Sequence, residues 1–502
     1  MWLKNRVFII SFLLVVSLIG FGIVWPEAFS HYTTLIHDAI LSHFSWGYQI
    51  APFSFLVFSL VLAFSKYGHI KLGKDHERPQ YGYFGWFSML FAAGMGIGLI
   101  FWGVAEPLNH FSHPPPFIQE QSGEAAQFAM RHCFFHWGLH PWAVYVLMSL
   151  CIAYFCFRRG MPPLISSCFY PLLGEKIYGV VGYGIDILAV FAVVFGIATS
   201  LGLGTMQISS GLAEVVPMVP DTTITWLIII AVVTVLFMIS TLVGLDRGIQ
   251  VLSKANLLLA GLLLLFMVAV GPTTYILNVL TSTTGDYLSS LLRMSLTTHP
   301  FEGYEWTQKW TLFYWASWIA WSPFVGLFVA SISRGRTIRE FVLGALLIPS
   351  TLTFFWFAAF GGAAFHLQLE QGVDIAAATI GDISTALFYL VDHYPLAGIL
   401  TVVAIVLLTV FFVTSADSAT LVLAMLTSRG ELRPSNLRKV VWGVVQSSAA
   451  AILLLAGGLE ALRKMAISSA LPFTLIMFLL CINLWKAVRY EYEHERQETT
   501  TG

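Results

Sequence analysis

One apolar stretch of the chain reads His136-Trp137-Gly138-Leu139-His140-Pro141-Trp142-Ala143-Val144-Tyr145, and another reads Trp315-Ala316-Ser317-Trp318-Ile319-Ala320-Trp321. On an ideal helix, Trp142 lies about 140° from Trp137 and Tyr145 about 80° from it, which makes a wide wall of rings that Pro141 is expected to bend. Trp315, Trp318 and Trp321 are spaced three apart and are expected to share one face. Two such walls make a box of π faces. A box of this kind attracts a cation that cannot donate hydrogen bonds, a quaternary ammonium, at about 0.5–2 kcal/mol per ring. Interfacial belts of Trp and Tyr are the alternative, and they account for any one of these rings taken singly.

A second constellation is Phe411-Phe412-Val413-Thr414-Ser415-Ala416-Asp417-Ser418-Ala419-Thr420. Adjacent hydroxyls after an apolar run are hard oxygen donors. Together with carbonyls from an unwound partner they suit a small alkali cation, although hydroxyls that bond back to the i−4 carbonyl explain them equally. Asp417 is costly in lipid and should face protein or water. The unwound partner is Gly94-Met95-Gly96-Ile97-Gly98, where each glycine costs about 1 kcal/mol against alanine in a helix. Hydrocarbon tolerates a broken helix only inside protein or beside a cavity, where its free backbone groups can hold an ion and a solute. Close packing through small residues is the alternative. Glu106-Pro107 ends the same stretch and is expected at its outer end.

The elements that must position these groups follow from composition. The 502 residues are 57% hydrophobic and 11% charged, with a formal net charge of −1. Soluble domains carry about 25% charged residues, so this is an all-α polytopic membrane protein, and the charge balance excludes nucleic acid as a partner. Cys133, Cys151, Cys156, Cys168 and Cys481 lie in or beside apolar runs without metal-ligand spacing and read as buried small residues. The run from Val7 to Trp25 lacks a small-residue cleavage site and reads as a membrane helix rather than a signal peptide. Twelve apolar runs of about 20 residues are predicted near 6–26, 49–65, 84–105, 134–157, 184–204, 223–243, 254–274, 309–332, 339–361, 396–428, 439–457 and 467–487. With the N-terminus inside, only Arg131, Arg293, Lys309, Arg463 and Lys464 of the 26 Lys and Arg fall outside, so both termini are expected in the cytoplasm.

Three connections stand out. The segment from Gly285 to Leu296 carries Leu288, Leu291, Leu292 and Leu296 at helical spacing and suits an amphipathic helix in the interface, with an ordered loop as the alternative. The acidic loop 362–395 reads as a solvated outer surface. Basic Ser331–Glu340 fits either the positive-inside rule or a tight turn gating the inner mouth. Pro323 and Gly326 are expected to break the eighth span. Spans three to seven and eight to twelve form two sets of five, an odd number, so the copies must be inverted. The two interruptions then sit at corresponding positions, a pointer to a transporter's central site. The resulting segments are two N-terminal helices (1–80), a first repeat (81–278), an interfacial helix and outer loop (279–308), a second repeat (309–487) and a short cytoplasmic tail (488–502).

Gly94–Gly98 followed by Gly103-Val104-Ala105-Glu106-Pro107, then Phe135–His140, Thr199–Gly204, Trp321–Gly326, Ser331–Glu340 and Thr414–Ala419 resemble the motifs of the betaine–choline–carnitine transporters. The resemblance runs in family order over nearly the whole chain and is nearest to bacterial sodium-coupled glycine betaine carriers. It implies a LeuT-like core of two inverted five-helix repeats, a homotrimer in the plasma membrane, and sodium-driven uptake of a trimethylammonium osmoprotectant without other cofactors. It implies an aromatic box at Trp137, Trp142, Tyr145 and Trp318, with Trp321 and Phe328 on the inward path and Met95 and Gly96 at the substrate carboxylate. It also implies a sodium site at Ala92, Met95, Phe411, Thr414 and Ser415.

Three departures qualify that pattern. Ser317-Trp318 stands where the family commonly has two adjacent tryptophans. Val193 and Ile197 match hydroxyl ligands of a second sodium site, and aliphatic side chains cannot ligate sodium. The tail after Leu484 is short and no long acidic N-terminal extension is present, so osmosensing through such tails is not expected. The sequence therefore reads as a sodium/glycine betaine symporter working by alternating access. A proton-coupled choline transporter and a carnitine/betaine exchanger are rivals within the class, although the intact Gly-x-Gly-x-Gly argues against the exchanger. A membrane betaine sensor is the rival outside it, and would need a cytoplasmic output domain that the short inner segments do not supply. An enzyme would need an acid, base or metal set that the sequence does not offer.

Overall fold

The computed structural model describes residues 5–243 and 246–501, and the side chains at 92, 93, 95, 246–253 and 495–501 lie outside that description. Those excluded groups include Ala92 and Met95 of the expected ion site. They also include Lys4 and the side chains of Arg247 and Arg496 from the charge pattern. Among the described residues no strand forms, and an isolated bridge joins Lys71 to Thr337. The helices are α1 (Arg6–Val24), α2 (Pro26–Phe64), α3 (Tyr83–Ser112), α4 (Gly123–Trp137), α5 (Leu139–Ala153), α6 (Tyr170–Leu173) and α7 (Val180–Val215). They continue as α8 (Thr223–Val243), α9 (Asp246–Val270), α10 (Thr273–Leu296), α11 (Tyr304–Thr307), α12 (Phe313–Ile332) and α13 (Ile338–Phe365). Last come α14 (Ile375–Gly381), α15 (Ala386–Asp392), α16 (Ala397–Leu426) and α17 (Asn436–Thr501).

Among the described residues nine helical stretches are long and apolar enough to cross a bilayer, and eleven are if each of two sharply bent pairs counts as one span. Exposed Leu13, Ile228, Val235, Leu258 and Leu265 cover the outside of α1, α8 and α9, a surface that water would not tolerate and lipid does. The centre is different. Every residue of α5 from His140 to Ala153 is buried, as is nearly all of α12 and the middle of α7. Helices apolar all round and buried all round belong inside a bundle, and these three carry the aromatic residues singled out above.

Helix breaks decide how the centre is shaped. The two halves of α3, Tyr83–Phe91 and Gly96–Ser112, are bent by 64°, with Gly96 in a non-helical conformation. The fourth span is interrupted at Gly138 (φ −94°, ψ −126°), between α4 and α5. Pro141 is therefore not the bend. It sits in the first turn of α5, where an amide hydrogen has no intrahelical partner and proline costs little. The long α17 departs from helix at Gly457 and at Gly458, which has φ +57°.

The eighth span corrects another expectation, because α12 runs unbroken through Pro323 and Gly326. Proline leaves the carbonyl four residues back without its donor, and here the Ser322 hydroxyl donates to Ile319 O at 2.8 Å in its place. Gly326 serves packing instead, since a Cβ there would lie 2.3 Å from Met148 Cγ.

Three boundaries also move. The fourth span starts at Gly123, capped by the Ser122 hydroxyl, which accepts from Ala125 N. The helix expected from Gly285 begins at Thr273 and leaves α9 at 110°. Its Tyr287, Met294 and Ser295 are buried, while Leu288, Leu292 and Leu296 are exposed. Finally, 362–395 is only in part a solvated surface: Glu370, Asp374 and Asp392 are exposed, but the segment is not a plain loop. It contains the short helices α14 and α15, whose Ile375, Ala376, Leu387, Phe388 and Leu390 are buried. Phe388 fits over Gly211 of α7.

Candidate functional site

The aromatic wall assembles from α4, α5 and α12. Trp137 meets Trp318 edge to face with centroids 4.9 Å apart, and Tyr145 meets Trp318 at 6.1 Å and 81°. Trp321 stands perpendicular to Trp318 at 6.5 Å, and Trp142 packs edge-on against Tyr145 at 5.7 Å. Trp137, Trp318 and Trp321 line a cavity of about 30 Å³ together with Gly94, Gly98 and Tyr314. Hydrogen bonds hold the rings in place: the Trp318 indole donates to His136 O (3.0 Å) and the Trp321 indole to Gly196 O (2.8 Å). The indole N–H of Trp142 and the hydroxyl of Tyr145 are buried without a partner among the described residues.

Two glycines of α3 exist for these rings. A Cβ at Gly94 would lie 2.5 Å from Trp142 Cη2, and one at Gly98 would lie 2.8 Å from Trp137 Cη2. Between them, Gly96 faces α16, where the nearest atoms to a Cβ would be Ser415 Oγ at 3.5 Å and Phe411 Cδ1 at 3.6 Å. The broken helix therefore touches the aromatic wall on one side and the hydroxyl-bearing helix on the other. Thr414 Oγ1 donates to Val410 O (2.9 Å) and Phe411 O (3.2 Å), so its hydrogen is spent on the backbone and its oxygen lone pairs are not. Asp417 faces protein, as expected: the carboxylate accepts from Ser240 and Thr241 of α8.

Some sequence expectations fail here for a physical reason. Trp315 is not in the wall. It stacks on His140 (5.4 Å, 23°) and donates to Gln49 Oε1 at 3.3 Å, turned toward α2 and α5. Its place is taken by Tyr314, 5.6 Å from Trp137 and 6.3 Å from Trp318. A repeat of 3.6 puts i, i+4 and i+7 on one face, here 314, 318 and 321, whereas strict spacing of three drifts off it. Phe328, half-buried two turns on from Trp321, does not line the cavity, and neither do Trp142 and Tyr145, which stand behind its wall against Gly94 and Trp318. Val193 and Ile197 are fully buried aliphatic positions of α7.

Glu106 does not end α3, which continues to Ser112, and it is fully buried. One oxygen accepts from Trp137 Nε1 (2.7 Å) and Tyr314 OH (2.6 Å). The other lies 2.7 Å from His136 Nδ1 and 3.2 Å from His110 Nε2. His136 continues to Thr311 Oγ1 at 3.0 Å. The ligand atoms of Glu106, His110 and His136 lie within 4.8 Å of one another, but hydrogen bonds satisfy the carboxylate without an ion. A buried carboxylate costs several kcal/mol unless so satisfied, and this one aligns two rings of the wall. The signal was present in the sequence: His110 lies one helical turn from Glu106, and His136 precedes Trp137.

Comparison with known proteins adds a second line. A family model described as BCCT, betaine/carnitine/choline family transporter, matches residues 6–493. The glycine betaine transporter OpuD of Bacillus subtilis (strain 168) is 46% identical over 489 residues, 97% of this chain and 95% of that protein. A probable glycine betaine transporter of Desulfitobacterium hafniense (strain Y51) is 44% identical over 97% of this chain and 98% of its own length. An ectoine/hydroxyectoine transporter of Virgibacillus pantothenticus is 44% identical over 95% of each.

Proposed function

Because the chain belongs to the betaine/carnitine/choline family of membrane transporters, we propose that it takes up glycine betaine by sodium symport through alternating access. It is a multi-pass membrane transporter and not an enzyme. In this reading the trimethylammonium group occupies the box of Trp137, Trp142, Tyr145 and Trp318, now joined by Tyr314, and Trp321 and Phe328 lie along the path inward. Met95 and Gly96 meet the substrate carboxylate. Sodium is held by Ala92, Met95, Phe411, Thr414 and Ser415, and no second sodium is bound at Val193 and Ile197.

The observation that carries the reading is the contact of one broken helix with both parts. Gly94 and Gly98 pack on Trp142 and Trp137 while Gly96 faces Ser415 and Phe411. Substrate and ion bound on opposite sides of one movable segment each favour the same backbone arrangement, which is a positive coupling between sites. Rings favour a methylated ammonium over one that demands hydrogen-bond acceptors. Dividing α17 at Gly457–Gly458 and counting each bent pair once gives twelve spans, which supports two inverted five-helix repeats behind α1 and α2. The cytoplasmic termini and the homotrimer belong to the same proposal.

Ectoine, the substrate named for one relative, has no trimethylammonium group and is the natural competitor. Initial uptake of labelled betaine into proteoliposomes, with and without an inward sodium gradient and with ectoine and choline as competitors, tests the reading. Sodium-dependent betaine uptake is expected, with weaker competition by ectoine. Uptake that ignores sodium removes the symport, and failure of betaine to enter removes the function.

A further inference from the structure

A cavity of about 90 Å³ lies apart from the aromatic box. It lies where α4, α10 and the loop 297–303 meet, and its wall includes Arg131, His132, Arg293, His299, Ser290 and Thr311. No Asp or Glu lines it. Arg131 is paired through Nη1 with Asp286 (3.1 Å), yet its Nε is buried without a partner. The Arg293 side chain makes no hydrogen bond or ion pair among the described residues. His132 and His299 each engage one ring nitrogen, with Phe128 O (2.9 Å) and Thr307 Oγ1 (3.0 Å). Two guanidinium groups thus border a partly enclosed space, and the buried Arg131 N–H without an acceptor is costly.

We infer that this cavity binds a small monovalent anion, held between Arg131 and Arg293. Arginine is suited to it because its N–H groups point in a fixed fork and its charge is permanent. A halide and the carboxylate of an incoming zwitterion share this chemistry. The cavity is linked to the box as well. Thr311 in its wall is hydrogen-bonded to His136, whose carbonyl accepts the Trp318 indole. An anion there is thus joined to the aromatic wall through two residues.

The test begins with crystals of the full chain soaked in bromide. An anomalous peak between Arg131 and Arg293 is expected, absent in Arg293→Gln, a change at an exposed residue that should not disturb folding. Betaine uptake in chloride and in gluconate then separates the sources, and this arm alone rests on the betaine reading. If a free halide is the occupant, removing chloride lowers the maximal rate several-fold. If the substrate carboxylate is the occupant, removing chloride lowers the half-saturating betaine concentration, and Arg293→Gln raises it several-fold. No bromide peak, or a peak that persists in Arg293→Gln, overturns the proposal. Absence of betaine uptake in either medium sinks the betaine reading while leaving the bromide result intact.

Discussion

Trp318 sits where the two walls meet, edge-on to Trp137 and to Tyr145, with its indole N–H committed to His136 O. A ring so fixed presents its face without reordering, and a desolvated cation–π contact is worth about 2 kcal/mol. Trp318→Ala should therefore weaken betaine binding by roughly 30-fold, measured as the half-saturating concentration for uptake. An unchanged value removes the residue from the box. Thr414→Ala takes away one hydroxyl oxygen beside Phe411 and Ser415, and should raise the sodium concentration for half-maximal uptake with a smaller effect on the maximal rate. Sodium dependence that survives intact means the ion sits elsewhere. At this scale the sequence was most legible where residue type alone carries meaning. Trp137 and Trp318 could be read from their rings, but choosing Tyr314 over Trp315 needed the true helical phase, and Glu106 needed its partners on α4 and α12, one of them Tyr314, far away in sequence.

Among the elements, α3 shows why glycines gather at a break. Gly94→Ala would push a methyl into the edge of Trp142, a fully buried rigid ring, and overpacking of this kind costs about 1–3 kcal/mol. Gly85→Ala on the same helix meets nothing within 4 Å. Thermal unfolding in detergent should therefore show a drop for Gly94→Ala and none for Gly85→Ala, and betaine affinity should fall with the first only. Equal melting temperatures would mean that the helix and ring part without cost. The break in α3 was legible because glycine is costly inside a helix, although only Gly96 departs from helical geometry, while Gly94 and Gly98 serve the close packing that was the alternative. The expected break in α12 was not there, because Ser322 supplies the hydrogen bond that Pro323 withholds from Ile319, a local compensation that a proline count overlooks. Segment 362–395 was legible only in part for the converse reason: its exposed acidic residues are visible in sequence, whereas the pockets on α3 and α7 that receive its apolar side chains belong to distant parts of the chain.

Across the whole molecule, the end carrying the 66–80 and 333–338 segments is tied together by contacts far apart in sequence. Leu72 N donates to Arg336 O and Gly335 N to Leu72 O, both at 2.8 Å, and Ile338 N donates to Ile70 O at 2.9 Å. Beside this short ladder the Arg334 guanidinium grips Glu77, with Nε to Oε2 at 2.9 Å. Arg158 joins Asp75 to Glu491, which also accepts from Tyr154. The α2–α3 connection is thereby fastened to the α12–α13 turn and to the last helix. Glu77 supplies the opposite charge to the basic turn at Ser331–Glu340 through Arg334. The Arg334 hydrogen bond holds the Glu77 carboxyl at about 2, below its ordinary value. A folded-state pKa below the unfolded one stabilises the fold fully above the unfolded value, and the contribution is lost as pH falls toward the folded value. The melting temperature of Glu77→Gln in detergent should thus lie below that of the native chain by a constant margin from pH 8 to about 5. The margin should narrow as pH drops further. Because Arg334 is half exposed, added salt should shrink the same margin at neutral pH. A difference that grows on acidification, or that ignores both pH and salt, would show that Glu77 acts through packing and that the clasp is held by the backbone ladder alone.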